Sequence, residues 1–282
     1  MNISSVAILS NPKAGKGFAQ ETAKWLGSSL EQLGISSHIF EESWPNHFDR
    51  FSDVWIIGGD GTLNYFINQY PDCQLPLALF KCGTGNDFAW KLYGNKDNSA
   101  IFEQVIQAKI QAVDACKINQ WWYLNCLGIG FDGEIIRFMQ AIRFLGGHLG
   151  YLLAVVLKVF SFKEKYFQIT TATKSWQERY LLVIANNSSR SGGGFFVTPT
   201  ANLQDGYVDL LLCGKLNLLQ RLKYLPVLQK GKHLHLPFVT HRLVKEVKIQ
   251  LERETDIQID GELISAKDIQ ISVVPNKFNF RF

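Results

Sequence analysis

Cysteine is scarce in this sequence and shows no pairing pattern. The five residues, at 73, 82, 116, 126 and 213, are odd in number and include no C-x-x-C pair. A disulfide framework is therefore not expected, and a reduced, cytosolic chain is. Long apolar runs are also missing. The most apolar window, Phe144 to Phe160, carries His148 and Lys158 and falls short of the roughly 20 residues that a membrane span needs. The opening stretch, Met-Asn-Ile-Ser-Ser-Val-Ala-Ile-Leu-Ser, has no basic n-region and reads as a strand, not a signal peptide. Net charge is only +4, which permits attraction to anionic phosphates or an anionic membrane surface but demands neither nucleic acid nor lipid. No nucleic-acid partner is expected. There is no internal repeat and no low-complexity linker, and the histidines at 233, 235 and 241 have a spacing that suits no common zinc site.

What remains is a folded globular chain. Its 282 residues are 46% hydrophobic and 19% charged, which excludes a disordered protein and favours two domains. The 20 Phe and 7 Trp fit either a large core or an apolar substrate cleft.

The first half alternates strands and helices. Ser5–Ser10 reads as a strand, followed by the loop Asn11-Pro12-Lys13-Ala14-Gly15-Lys16-Gly17 and a helix running to Leu33. Ser37–Phe40, Val54–Ile57 and Leu75–Phe80 are further strand candidates. The second of these ends at Gly58-Gly59-Asp60-Gly61-Thr62, and the third at Cys82-Gly83-Thr84-Gly85-Asn86-Asp87. Glycines at a strand-to-helix junction allow a tight turn and let a phosphate reach amide N–H groups with no Cβ in the way. An aspartate inside such a turn places one negative charge where a magnesium–nucleotide complex needs it. The alternation predicts a parallel sheet, on which all three loops fall at the carboxyl ends of strands, where ligands bind. Beyond about residue 118 the pattern becomes antiparallel β. Trp122–Ile129, Tyr166–Thr171, Tyr180–Ala185, Tyr207–Cys213, Val247–Leu251, Ile257–Ile259 and Ile269–Val274 read as strands. Asp132–Leu145, Leu149–Phe160 and Leu216–Lys230 read as helices. The expected domains are 1–117, a nucleotide-binding α/β domain, and 118–282, a β-rich domain.

With Gly58–Thr62, Gly83-Thr84-Gly85-Asn86-Asp87-Phe88-Ala89 and Asp260-Gly261-Glu262 in this order, the chain resembles the diacylglycerol kinase catalytic-domain family. Within it, the bacterial lipid kinases that carry no membrane span are most similar. Asn11–Gly15, Asn125–Asp132, Gly192–Pro199 and Asp205-Gly206 match further blocks, so the resemblance covers nearly the whole chain. It implies an ATP-dependent kinase acting on a lipid hydroxyl, such as that of diacylglycerol. It also implies a phosphofructokinase-like α/β domain with a parallel sheet, and a C-terminal β-sandwich domain enclosing a cleft with it.

The residues suit those roles chemically. Asn11, Lys13, Lys16, Gly58, Gly59, Asp60, Gly61, Thr62, Gly83, Thr84 and Asn86 are the candidate ATP-binding set, although Lys13 and Lys16 read equally well as a solvated loop. Asp60, Asp87 and Asp114 match the aspartates that organise the catalytic Mg2+ through water. Asp260 matches the general base, assisted by Glu262, while Asp-Gly taken alone is also a common hairpin turn. Asn202, Asp205 and Tyr207 match a structural magnesium site, and a plain turn competes with that reading. Tyr65 stands where the family commonly has glutamate, Lys81-Cys82 where it often has proline–x, and Trp90 where it usually has arginine. These departures leave the lipid acceptor open. A lipid substrate implies transient peripheral contact with the inner face of the membrane, for which Arg137–Phe160 and Tyr224–His233 are candidate segments. A homodimer stays open. The competing readings are a soluble-substrate kinase resembling NAD kinase and a nucleotide-binding sensor without turnover.

Overall fold

Near-continuous apolar runs suit parallel strands, which are covered on both faces by helices. Val6–Leu9, Val54–Ile57 and Leu77–Phe80 are such runs, and all are buried. The computed structural model describes residues 3–12, 14–141 and 148–282, and the chain divides into two units, 1–113 with 276–282 and 114–275.

In the first unit, β1 (Ser5–Ser10), β2 (Ser36–Phe40), β3 (Asp53–Gly58) and β4 (Leu77–Lys81) lie parallel in the order β4-β3-β1-β2. Helix α1 (Phe18–Gln32) buries Ala19, Ala23, Leu26 and Leu30 on one stripe. Helix α2 (Asp60–Gln69) buries Leu63, Phe66 and Ile67. Helices α3 (Asp87–Tyr93) and α4 (Asn98–Gln107) complete the unit. Neither is expected from the sequence: α3 is short and starts inside a glycine loop. The carboxylate of Asp97 caps α4 by accepting from the Ala100 amide at 2.9 Å.

Strand β5 (Ile110–Ile118) carries the chain into the second unit. There follow β6 (Trp121–Tyr123), β7 (Leu127–Gly130), α5 (Phe131–Ala141), α6 (His148–Ser161), β8 (Lys165–Thr170), β9 (Ser175–Tyr180) and β10 (Leu182–Asn186). Strand β11 (Val208–Cys213), α7 (Leu218–Gln229), β12 (Val239–Val244), β13 (Glu246–Ile259) and β14 (Glu262–Arg281) close the chain. The strands pair antiparallel in the order β12-β11-β10-β7-β13-β14, and β8 adds to β13 with β9 beside it. Their shared core gathers Tyr123, Phe167, Val183, Leu210, Ile249 and Ile257. The architecture is thus a parallel α/β unit and a β-sandwich-type unit.

Several strands differ from the sequence reading. Trp122–Ile129 is not one strand, because the chain breaks at Leu124–Cys126 to turn three amides toward Asp260. Val247–Leu251 and Ile257–Ile259 are one strand, β13, with an irregularity between Gln250 and Thr255. Tyr180–Ala185 is split at Leu181 between β9 and β10. Helix α5 is described to Ala141, so residues 142–145 of the expected helix lie outside the described residues. It begins against β13, where a Cβ on Gly133 would collide with the Asp256 carbonyl.

The last residues of β14 belong to the first unit, where Phe280 lies parallel beside Leu77. Arg281 pairs there with the buried Asp53 and also donates to the Ala108 carbonyl at 3.2 Å. Burial pushes the Asp53 carboxyl up, against the opposing pull of the guanidinium.

Candidate active site

Two glycine loops of the first unit meet backbone to backbone. A Cβ on Gly83 would lie 2.5 Å from the Cα of Gly59, and one on Gly59 would lie 2.9 Å from the Cα of Gly83. A Cβ on Gly58 would collide with the Thr62 side chain. The second loop is tied by Asn86, itself left-handed at φ 50. Its amide oxygen accepts from Gly83 N–H at 2.9 Å, and its Nδ2 donates to the Gly83 carbonyl at 2.6 Å. Asn11 Nδ2 donates to Thr62 Oγ1 at 3.3 Å, joining the first loop to the second. A small cavity lined by Gly58, Gly59, Asp60, Asn86 and Ala89 lies among these residues.

Asp60 opens α2, yet its carboxylate serves α3. Its Oδ2 accepts from the Asp87 amide at 3.1 Å and its Oδ1 from the Phe88 amide at 3.0 Å. The helix N-termini of α2 and α3 therefore share one carboxylate, which suits their positive dipole ends. Asp87 is 3% exposed and Thr84 is exposed. Lys13 lies outside the described residues. Lys16 falls in the 3-10 turn Ala14–Gly17. Tyr65 is 59% exposed and stands edge-on to Trp44 at 5.4 Å, so a surface aromatic occupies the position of the family's glutamate.

In the second unit Asp260 and Gly261 form a two-residue hairpin between β13 and β14, both with positive φ, 48 and 92. The turn is therefore real, but the aspartate does more than turn. Only 3% exposed, its carboxylate accepts from Leu124 N–H at 2.9 Å, Asn125 N–H at 3.1 Å and Cys126 N–H at 2.7 Å. Its own N–H donates to the Cys126 carbonyl at 2.9 Å. Glu262, next along, is exposed. The amide cradle at 124–126 is the element that sequence reasoning missed, because Leu-Asn-Cys looks like strand interior.

Asp114 is held by the loop that contains Asn202, Asp205 and Tyr207. Its Oδ2 accepts from Gly206 N–H at 2.7 Å, its N–H donates to the Leu203 carbonyl at 2.7 Å, and its carbonyl accepts from Asn187 Nδ2 at 2.8 Å. Asp205 accepts from Tyr207 N–H at 3.0 Å and Asn202 from Gln204 N–H at 3.2 Å, two side-chain-closed turns. Burial raises the Asp205 carboxyl, and the charges of Asp209 and Asp114 add to the rise. A hard cation would relieve that repulsion, and one carboxylate with neighbouring backbone oxygens is a donor set such cations accept. Among the described residues, no three His, Cys, Asp or Glu side chains converge as a metal cage. Asp132, at the start of α5, sits with Oδ2 against Gly128, and burial pushes its carboxyl up to about 6.

Residues 5–118 match the family described as the diacylglycerol kinase catalytic domain, and residues 125–281 match the YegS C-terminal NAD kinase beta sandwich-like domain. The chain belongs, over more than half of its length, to the family of that C-terminal domain. With the diacylglycerol kinase catalytic domain ahead of it, the chain is an ATP-dependent lipid kinase. A diacylglycerol kinase of Mycobacterium tuberculosis strain H37Rv is 23% identical, over 97% of this chain and 93% of that protein. The diacylglycerol kinase of Bacillus subtilis strain 168 is 23% identical over 90% and 88%. Among solved structures, a diacylglycerol kinase from Bacillus anthracis strain Sterne superposes with a TM-score of 0.75 at 21% identity, covering 100% of this chain and 98% of that one. An NAD kinase from Archaeoglobus fulgidus in complex with ATP superposes with a TM-score of 0.59 at 10% identity, covering 99% and 93%. At these identities the superpositions speak for the fold alone. No helix among the described residues is long and apolar enough to cross a membrane.

Proposed function

We propose that this kinase transfers the γ-phosphoryl group of ATP to the hydroxyl of a lipid alcohol such as diacylglycerol, with Asp260 as the general base. The observation that carries the proposal is the pair of abutting glycine loops at Gly59 and Gly83, which share the Asp60 carboxylate. Phosphoryl transfer asks a protein for positioning and charge stabilisation more than for covalent chemistry. First-turn amides of α2 and the Thr62 hydroxyl bind the ATP phosphates, and Asn86 keeps the second loop open for the nucleotide. Magnesium, when bound, neutralises charge on the phosphates. Asp60 and Asp87 would hold it through water, a donor set that suits a cation which retains its hydration shell. Asn202, Asp205 and Tyr207, beside Asp114, would hold a second, structural cation.

Asp260 takes the proton from the acceptor hydroxyl. A carboxylate offers about four lone-pair positions, and the amide cradle fixes its orientation through a structural scaffold instead of leaving it on a mobile turn. Glu262 assists from the surface. The substrate lies in a bilayer, so the chain acts as a peripheral enzyme at the inner face of the membrane.

A panel of lipid alcohols in mixed micelles with γ-labelled ATP tests the proposal. Label is expected in the lipid phase with diacylglycerol, a sphingoid base or phosphatidylglycerol. Label in NAD with none in lipid favours a soluble-substrate kinase. Tight ATP binding without transfer to any acceptor favours a sensor.

A further inference from the structure

Between Asp209 and Glu246 the chain holds five lysines and two arginines and no acidic residue. Helix α7 lies in the middle of this stretch and has no buried residue. Its Leu218, Leu219 and Leu222 are 41%, 79% and 40% exposed. The neighbouring end of α6 is similar: Val156, Leu157 and Phe160 are 37%, 46% and 59% exposed.

The two helix ends are held next to each other. Arg221 Nη1 donates to the Val159 and Phe162 carbonyls, both at 2.9 Å, and Nη2 pairs with Glu164 at 2.8 Å. Leu225 packs inward on the cluster of Ile135, Ala154 and Val159. The start of α7 is fixed by a reciprocal cap between Asn217 and Gln220. The apolar residues are therefore presented outward by an anchored pair of helices, not by a loose loop. Lys163, Lys215, Lys223, Lys230 and Lys232 are exposed around them. Glu164 of the clamp is already paired with Arg221, and Glu134 with Lys158 and Lys165.

We infer that the outer face of α6 and α7 is where this enzyme docks on an anionic lipid bilayer, the leucines and Phe160 entering the interface and the lysines meeting the headgroups. Helices that lie in an interface combine an apolar face with lysine and arginine around it, and each basic residue near an anionic surface adds attraction. The charge excess favours lipid over a second copy of the chain, since two such faces would repel. The inference deepens the lipid-kinase reading and rests on it for its biological sense, but binding is measurable without turnover.

The test is co-sedimentation of the full chain with vesicles of phosphatidylcholine alone or mixed with phosphatidylglycerol, without ATP or diacylglycerol. The wild type is expected to bind the mixed vesicles and to lose binding at high salt. Leu219→Glu with Leu222→Glu is expected to lower partitioning at least about tenfold. Lys223→Gln with Lys230→Gln is expected to lower it about fivefold per lysine on mixed vesicles only. These residues are exposed, so the melting temperature and turnover on a short-chain, water-soluble diacylglycerol should match the wild type. Unchanged vesicle binding in the leucine variant overturns the inference. So does a concentration-dependent dimer that the leucine variant disperses while the wild type ignores vesicles. Vesicle binding through this face with no phosphoryl transfer to any lipid overturns the kinase reading and leaves the docking surface standing.

Discussion

Gly59 and Gly83, on different strand-to-helix loops, pack so closely that neither has room for a Cβ. This contact sets the spacing of the two loops proposed to hold the phosphates. Gly83→Ala is expected to cost roughly 1–3 kcal/mol as an overpacked contact, and to weaken ATP binding at least tenfold. Gly27→Ala, whose Cβ would meet Ile39 at an ordinary 3.4 Å, should leave ATP affinity unchanged. Calorimetric ATP titration of the two variants checks this. Equal affinities would show that the loop contact does not shape the nucleotide site.

Asp60 has a structural duty alongside its proposed role at magnesium. Asp60→Ala removes the acceptor for the Asp87 and Phe88 amides, costing roughly 1–2 kcal/mol as a lost helix cap. Asp60→Asn keeps one acceptor and should melt closer to the wild type. In that variant the magnesium concentration for half-maximal turnover is expected to rise at least tenfold. Wild-type magnesium dependence in Asp60→Asn would leave the residue a cap and nothing more.

The glycine loops and Asp60 could be found in the sequence because strand, glycine and helix follow one another within ten residues. Parallel β1, β3 and β4 announced themselves as apolar runs for the same reason: both faces are covered. The partners of Asp114 and Asp260 were beyond such reading. Gly206 lies 92 residues from Asp114, and the Asp260 cradle is set 134 to 136 residues away. Backbone amides carry no residue-type signature, so Leu124-Asn125-Cys126 passes for strand interior. Strand β9, Ser-Trp-Gln-Glu-Arg-Tyr, is mostly exposed and polar and gives no apolar run to notice.

His233 is 2% exposed and donates Nε2–H to the Val197 carbonyl at 2.8 Å. Burial lowers its proton affinity below the ordinary histidine range. The unfolded chain takes up a proton near pH 6.5 while the folded chain does not, so the unfolded state binds more protons just below that pH. Stability therefore falls as pH drops through about 6.5. His233→Gln, which retains a donor, should lose less melting temperature between pH 7 and 5.5 than the wild type. Parallel losses in the two proteins would show that another group sets the slope.

Arg281 and Asp53 form a buried pair that fastens the end of the chain to the first unit. Arg281→Ala strands a buried carboxylate and is expected to cost about 3–5 kcal/mol. Adding Asp53→Asn should recover part of that loss, because the stranded charge is gone. Urea denaturation of the single and double variants measures it. A loss below about 1 kcal/mol in the single variant would contradict the pairing.

The central claim is that Asp260 deprotonates a lipid hydroxyl for phosphoryl transfer from ATP. Its amide cradle complicates the obvious variant, since the Nδ2 group of Asp260→Asn would face N–H donors and some destabilisation is expected. The deciding measurement is therefore γ-label transfer from ATP to diacylglycerol in mixed micelles, made on protein shown to be folded and to bind ATP. The wild type should label the lipid, and folded, ATP-bound Asp260→Asn should be slower by at least about a hundredfold. Lipid labelling by Asp260→Asn at near the wild-type rate would contradict the claim.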